Sequence, residues 1–138
     1  MSLSPERLDR FARHIVQPEI ALAKKHLVLV GLGGIGSPAL QYLAGAGIGK
    51  LTLVDDDRVD ASNLQRQTLF NERDIGHGKA VIAKRWVTGF DPELDVQISD
   101  RRITVANAPD LVIGADLVLD GTDNFATRLA VSDACVAE

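Results

Sequence analysis

The run HLVLVGLGGIGS, His26 to Ser37, constrains this 138-residue chain more than any other stretch. HLVLV is a short, mostly apolar segment of the kind that lies buried on both faces in a parallel sheet. Gly31, Gly33 and Gly36 follow in the spacing G-x-G-x-x-G. Pro38 sits early in the next segment, where its missing N–H costs no helix bond. Glycine permits a tight turn and lets backbone N–H groups approach a phosphate closely. The helix behind the turn offers its positive end to the same anion. Strand, loop and helix in this order fit a nucleotide cradle better than a turn that only packs helix on strand. No Gly-Lys-Ser/Thr closes the loop, so it is not a Walker A.

The rest of the chain repeats the alternation. A helix is predicted from Ser37 to Ala46, then a second buried strand ending at Asp55. A long polar connection follows, carrying the amphipathic piece NLQRQTLF. Connections of this length inside a compact domain are usually functional. KAVIAKRWVTGF reads as a helix, DVQIS as a weaker strand, NAPDLVIG as a helical turn, Asp116 to Asp120 as a buried strand, and NFATRLAVSDACVAE as a final helix. The order predicts one α/β domain over 1–138, Rossmann-like, with a mostly parallel sheet and helices on both faces. Residues 1–20 read as a helical arm, capped by Ser4 and Pro5. Its stripe is Leu8, Phe11, Ala12 and Ile15, with Arg13 off that stripe. Ligands in such sheets lie beyond the carboxyl ends of the strands. Gly31–Gly36, Asp55–Asp57 and Gly121–Asn124 all fall there.

Composition narrows the class. The net charge of −4 argues against a nucleic-acid binder, which normally carries a basic surplus. No apolar run reaches the length of about 18 residues that a membrane helix needs. The polar start MSLSPERLDRF is not a signal peptide. One cysteine, Cys135, excludes a disulfide within one chain and a Cys-based zinc site. A reducing cytoplasm is the expected compartment. Leu129, Val131, Ala134, Cys135 and Val136 predict a partly buried face, and hence a structural cysteine. His14, His26 and His77 show no ligand spacing.

Asp55 lies nineteen residues after Gly36, where a carboxylate accepts hydrogen bonds from ribose hydroxyls. NAD and ATP both carry that ribose, so Asp55 does not choose between them. Asn63 and Arg66 share one helical face at i and i+3, and Lys79 opens the next helix. A triphosphate needs such cations more than a dinucleotide does. Taken alone, however, Arg66 and Lys79 also read as ordinary surface cations. In DGTDN, Asp120 and Asp123 sit where a strand end meets a loop. A carboxylate there suits Mg²⁺, which prefers one or two carboxylates plus phosphate oxygens. Thr122, Asp123 or Asn124 could equally cap the final helix.

Together these stretches resemble the E1-like activating enzymes, in particular the MoeB, ThiF and HesA adenylyltransferases. The resemblance runs through RFARHIVQPEI, the segment from LVLVGLGGIGS to NLQRQTLF, DIGHGKA and LVLDGTDNFATR. It implies ATP and Mg²⁺, and a ubiquitin-like sulfur-carrier protein whose C-terminal Gly-Gly tail is activated as an acyl-adenylate. It assigns Gly34 to the nucleotide loop with Gly31, Gly33 and Gly36, and Asp55 to the ribose. Asn63, Arg66 and Lys79 would contact phosphates. Asp57, Gln67 and Asn124 join the nucleotide contacts. Asp123 would serve Mg²⁺ and the reacting centre. Arg13 would reach the phosphates of a partner subunit, which implies a homodimer. Arg13, Arg66, Lys79 and Asp123 form the expected catalytic set.

Departures from the family pattern set further expectations. Family members are longer, and many carry two CxxC pairs for zinc and a distal cysteine, none of which occurs here. The stretch between Ile20 and Leu27 is short. Gly78 stands where proline is usual, which is expected to loosen the approach to Lys79. A hydrophobic edge strand, Leu117 to Leu119, points to a truncated chain stabilised by dimerisation. An NAD-binding oxidoreductase domain and a nucleotide-binding remnant without turnover stay open as alternatives.

Overall fold

Four parallel strands carry the site, and the two inner ones form where the sequence is apolar enough to be covered from both sides. The computed structural model describes residues 4–10 and 22–138. Strands β1 (His26–Val30), β2 (Lys50–Val54), β3 (Asp95–Ser99) and β4 (Leu117–Asp120) form one sheet in the order β3-β2-β1-β4. β1 is central, with Leu27 beside Leu51 of β2 and Leu117 of β4. Its side chains alternate between two cores. Leu27 and Leu29 face one, Val28 and Val30 the other. All four are buried, each worth roughly 1.5–3 kcal/mol relative to exposure.

Helices α1 (Pro5–Arg10), α2 (Gly36–Gly45), α3 (Lys79–Phe90), α4 (Ala108–Val112) and α5 (Phe125–Ala137) are the described α-helices. Leu40 and Ala44 of α2 and Ile82, Ala83 and Val87 of α3 join Leu29, Leu51 and Leu53 in the first core. Ala108 and Val112 of α4 and Ala130, Val131 and Ala134 of α5 join Val28, Val30 and Val54 in the second. The crossover helices therefore lie on opposite faces, and the chain changes direction between β1 and β4. At such a point the loops at the strand ends diverge and leave a crevice.

The long connection is not a free loop. Its Val59, Leu69 and Phe70 are buried in the first core. Two 3₁₀ turns, Ala61–Asn63 and Glu72–Asp74, each start with a reciprocal capping box, at Asp60 and Asn71. The predicted α-helical face shared by Asn63 and Arg66 is thus replaced by a tight turn, because the boxes fix the backbone within four residues.

Further expectations need correction. Cys135 is exposed, as are Leu129 and Val136. Helix α5 buries the narrower stripe of Ala130, Val131 and Ala134 instead. Leu117 is 53% exposed, and Val118 and Leu119 are only partly buried, because β4 is an edge strand. Helix α1 is present, its Arg10 donating to the Phe90 carbonyl and lying over the Phe90 ring. Most of the stripe predicted for the arm, and Arg13 with it, lies outside the described residues. No described helix is long and apolar enough to cross a membrane.

Candidate functional site

A cleft of about 480 Å³ opens at the carboxyl ends of the strands. Gly31, Gly33, Gly34, Asp55, Asp57, Asn63, Arg66, Gln67, Lys79, Asp123 and Asn124 all line it. Residues far apart in sequence are thereby brought together. Gly36 is buried beneath the loop. Of the sequence-predicted site residues, only Arg13 lies outside the described residues.

The glycine loop is shaped by backbone contacts. Gly31 has φ +89° and donates its N–H to Val54 O at 2.8 Å. A Cβ there would meet Thr122 Cγ2 at 3.1 Å and the Gly121 carbonyl carbon at 3.2 Å. The loops after β1 and β4 therefore touch with no room for a side chain. Ser37 closes the first turn of α2, its Oγ donating to Gly33 O at 2.6 Å. No side chain caps α2, which suits a helix end that receives an anion.

Three aspartates end β2, and each has a different partner. Asp55 accepts Leu32 N–H on Oδ2 at 2.7 Å and Asp57 N–H on Oδ1 at 2.8 Å. A carboxylate has about four lone-pair sites, so Asp55 can tie down the glycine loop and still receive ribose hydroxyls. Asp56 pairs with Arg102 at 3.6 Å. Asp57 lies 3.7 Å from Lys79 Nζ.

Lys79 is not a surface cation. It is 4% exposed and is the first residue of α3. Its N–H donates to Asp57 O at 3.0 Å, and Gly78 has φ −63° and ψ 132°, angles open to proline. Gly78 therefore holds a backbone geometry that proline would also adopt. Arg66 is exposed and lies beside Gly34, its Nε 3.4 Å from a Cβ built there.

Asn63 caps Asp60 N–H through Oδ1 at 3.0 Å, leaving its amide N–H₂ as a donor group. Hydrogen bonds from Ser62, side chain first and then backbone, hold the Asp60 carboxyl below its usual range. This cap is therefore fully present above the ordinary carboxylate pKa and is lost as pH falls through the lowered value in the fold. Gln67 is 2% exposed, and its buried Oε1 has no hydrogen-bond partner among the described residues. An amide oxygen in that state costs roughly 1–3 kcal/mol, so it fits a site completed by a donor from the cleft.

In the loop after β4 the capping role falls to Asn124, whose Oδ1 accepts Thr127 N–H at 3.1 Å. Asp120 is engaged by Thr122, at 2.9 Å to the N–H and 2.5 Å to the hydroxyl. Arg128 Nε donates to Thr122 O at 2.6 Å and pins the loop to α5. Asp123 is left exposed on the cleft wall.

A model of the ThiF family matches residues 12–138. The chain belongs to the ThiF family. It is 42% identical over 141 residues to the SAMP-activating enzyme E1 of Haloferax volcanii, a match covering 98% of this chain and 52% of that protein. To the sulfur carrier protein ThiS adenylyltransferase of Escherichia coli it is 43% identical over 134 residues, covering 93% of this chain and 53% of that one. The solved structure of the E. coli tRNA N6-threonylcarbamoyladenosine dehydratase TcdA in complex with ATP superposes with a TM-score of 0.92 at 30% identity. That match covers 99% of this chain and 58% of TcdA. The chain thus spans about half the length of these relatives.

This ThiF-family cleft also holds residues that the sequence reading did not single out. Arg101, Arg102 and Ile103 line it, directly after β3. The rule that ligands meet strand ends would have found them, but DVQIS reads as a weak strand and its end drew no notice.

Proposed function

We propose that this chain holds ATP, and that it adenylates the C-terminal carboxylate of a ubiquitin-like sulfur-carrier protein. The observation that carries this reading is Lys79, a buried cation at a helix N-terminus, opening on the cleft beside the glycine loop. Its counter-ion among the described residues is the exposed Asp57 carboxylate at 3.7 Å, which a nucleotide phosphate can replace. Asp55 takes the ribose. Gly33, Gly34, Asn63, Arg66 and Lys79 take the phosphates, and the Gln67 oxygen accepts from a donor group elsewhere on the nucleotide. The carboxylate oxygen attacks the α-phosphorus, the bond to the β-phosphate's bridging oxygen breaks, and pyrophosphate leaves with those electrons. The residues work by position and charge, without a protein nucleophile. Asp123 suits Mg²⁺ bound mainly by phosphate oxygens, because it offers one exposed carboxylate at the cleft wall. The described residues hold no cluster of three or more ligands that would bind a metal without phosphate. Arg13 is assigned, by the family resemblance, to the phosphates of a second subunit in a homodimer.

An NAD-binding oxidoreductase remains the contrasting class, and titration calorimetry separates the two. ATP should bind in the presence of Mg²⁺ and NAD should not. Tight NAD binding without ATP binding would overturn the reading. Exchange of labelled pyrophosphate into ATP, with a Gly-Gly-tailed carrier present, tests turnover. Arg66→Ala should weaken ATP about tenfold and leave AMP nearly unchanged, as expected for a charge-assisted contact to the outer phosphates. Equal losses for both would place Arg66 elsewhere.

A further inference from the structure

Arg128 stands where a helix does not favour a cation. It lies in the first turn of α5, near the positive end of the helix. Among the described residues the ion pairs do not include it. Its Nε donates instead to a main-chain carbonyl, Thr122 O, at 2.6 Å and six residues back. A hydrogen bond from an ionised donor is stronger than a neutral one, and this bond is what the placement secures.

The carbonyl that Arg128 holds comes one residue before Asp123. One residue after it, Asn124 Oδ1 accepts Thr127 N–H at 3.1 Å. The backbone of Asp123 is therefore tied to α5 on both sides, while its side chain is exposed on the cleft wall. Thr122 also gives its N–H and hydroxyl to Asp120 Oδ1. A Cβ built on Gly31 would lie 3.1 Å from Thr122 Cγ2, so this loop rests against the glycine loop. Asp120 holds the start of the loop, Asn124 its end, and Arg128 the carbonyl between them. The cleft is lined by Thr127 but not by Arg128. We propose that Arg128 is a positioning residue, which acts through the Thr122 carbonyl to set where the Asp123 carboxylate stands relative to the phosphates. The inference rests on the ATP reading above, including the assignment of Asp123 to Mg²⁺, and it gives a role to a residue behind the cleft wall.

Calorimetric titration of the whole chain with ATP, with and without Mg²⁺, tests this role. Arg128→Ala should weaken ATP about tenfold when Mg²⁺ is present and leave binding without Mg²⁺ nearly unchanged, the scale seen when the support of a metal ligand is removed. Arg128→Lys keeps a charged donor for the carbonyl and should recover most of the loss. In an Asp123→Asn background, adding Arg128→Ala should cost nothing more, because both changes act on one element. Equal losses with and without Mg²⁺, additive losses in the double variant, no rescue by lysine, or no change at all would overturn the role. Asp123→Asn binding ATP normally in Mg²⁺ would overturn the assignment of Asp123, and the role of Arg128 with it. Failure of the unaltered chain to bind ATP under either condition would instead overturn the ATP reading itself.

Discussion

Gly36→Ala is expected to abolish nucleotide binding and to lower the unfolding free energy by about 3 kcal/mol or more. A Cβ built at Gly36 falls on the Gly31 carbonyl oxygen and lies 2.7 Å from its carbonyl carbon. Both are main-chain atoms, so no rotamer change relieves the clash. The glycine loop would have to move, and the loop after β4 with it, since a Cβ on Gly121 would already lie 3.3 Å from Gly36 N. Gly34→Ala is the matched comparison for stability. There the Cβ meets only the flexible Arg66 side chain, at 3.4 Å. Denaturant unfolding of both variants checks the difference. Equal midpoints would show that the loop geometry is not what position 36 protects.

Lys79→Met should separate stability from binding. The substitution removes a buried charge and keeps most of the side-chain volume. Asp57 stays well solvated, with its side chain 73% exposed, so losing its partner costs little. Taking a cation away from a helix N-terminus is itself favourable, by about 0.3–1 kcal/mol. The variant should therefore unfold at the same or a higher denaturant concentration. ATP affinity should fall by roughly 30- to 100-fold, the scale of one charge-assisted hydrogen bond to phosphate. Unfolding curves and calorimetric titration on the same preparation check both. A variant that loses stability while binding ATP normally would make Lys79 a structural residue.

The strand–loop–helix–strand core was legible because its signals are local and agree. An apolar strand, a spaced set of glycines, an early proline and an aspartate at the next strand end all point one way. The turns between Asp60 and Asp74 were not legible as turns. Their capping boxes depend on which side chain folds back on which N–H, and NLQRQ passes equally well for a helical face. Lysine is among the residues least often buried, so residue pattern alone did not tell Lys79 apart from a solvated one, and only the family resemblance did. The burial of Cys135 was misjudged for a related reason. Helix α5 has apolar residues around much of its circumference, and periodicity alone does not say which arc meets the sheet. Arg102 was missed because its pairing with Asp56, from one strand end to the next, carries no motif.

Three consecutive aspartates beside a proposed phosphate site look like a mistake in sign. The structure shows each with its own duty: Asp55 on backbone N–H groups, Asp56 on Arg102 and Asp57 on Lys79. For Asp57 this has a further meaning on the proposed reading. Its carboxylate is a resident stand-in for phosphate, keeping the lysine neutralised while the cleft is empty. Nucleotide arrival is then an exchange of counter-ions rather than the capture of an anion by a bare charge. The departing pyrophosphate leaves behind a lysine that already has another anion to take back.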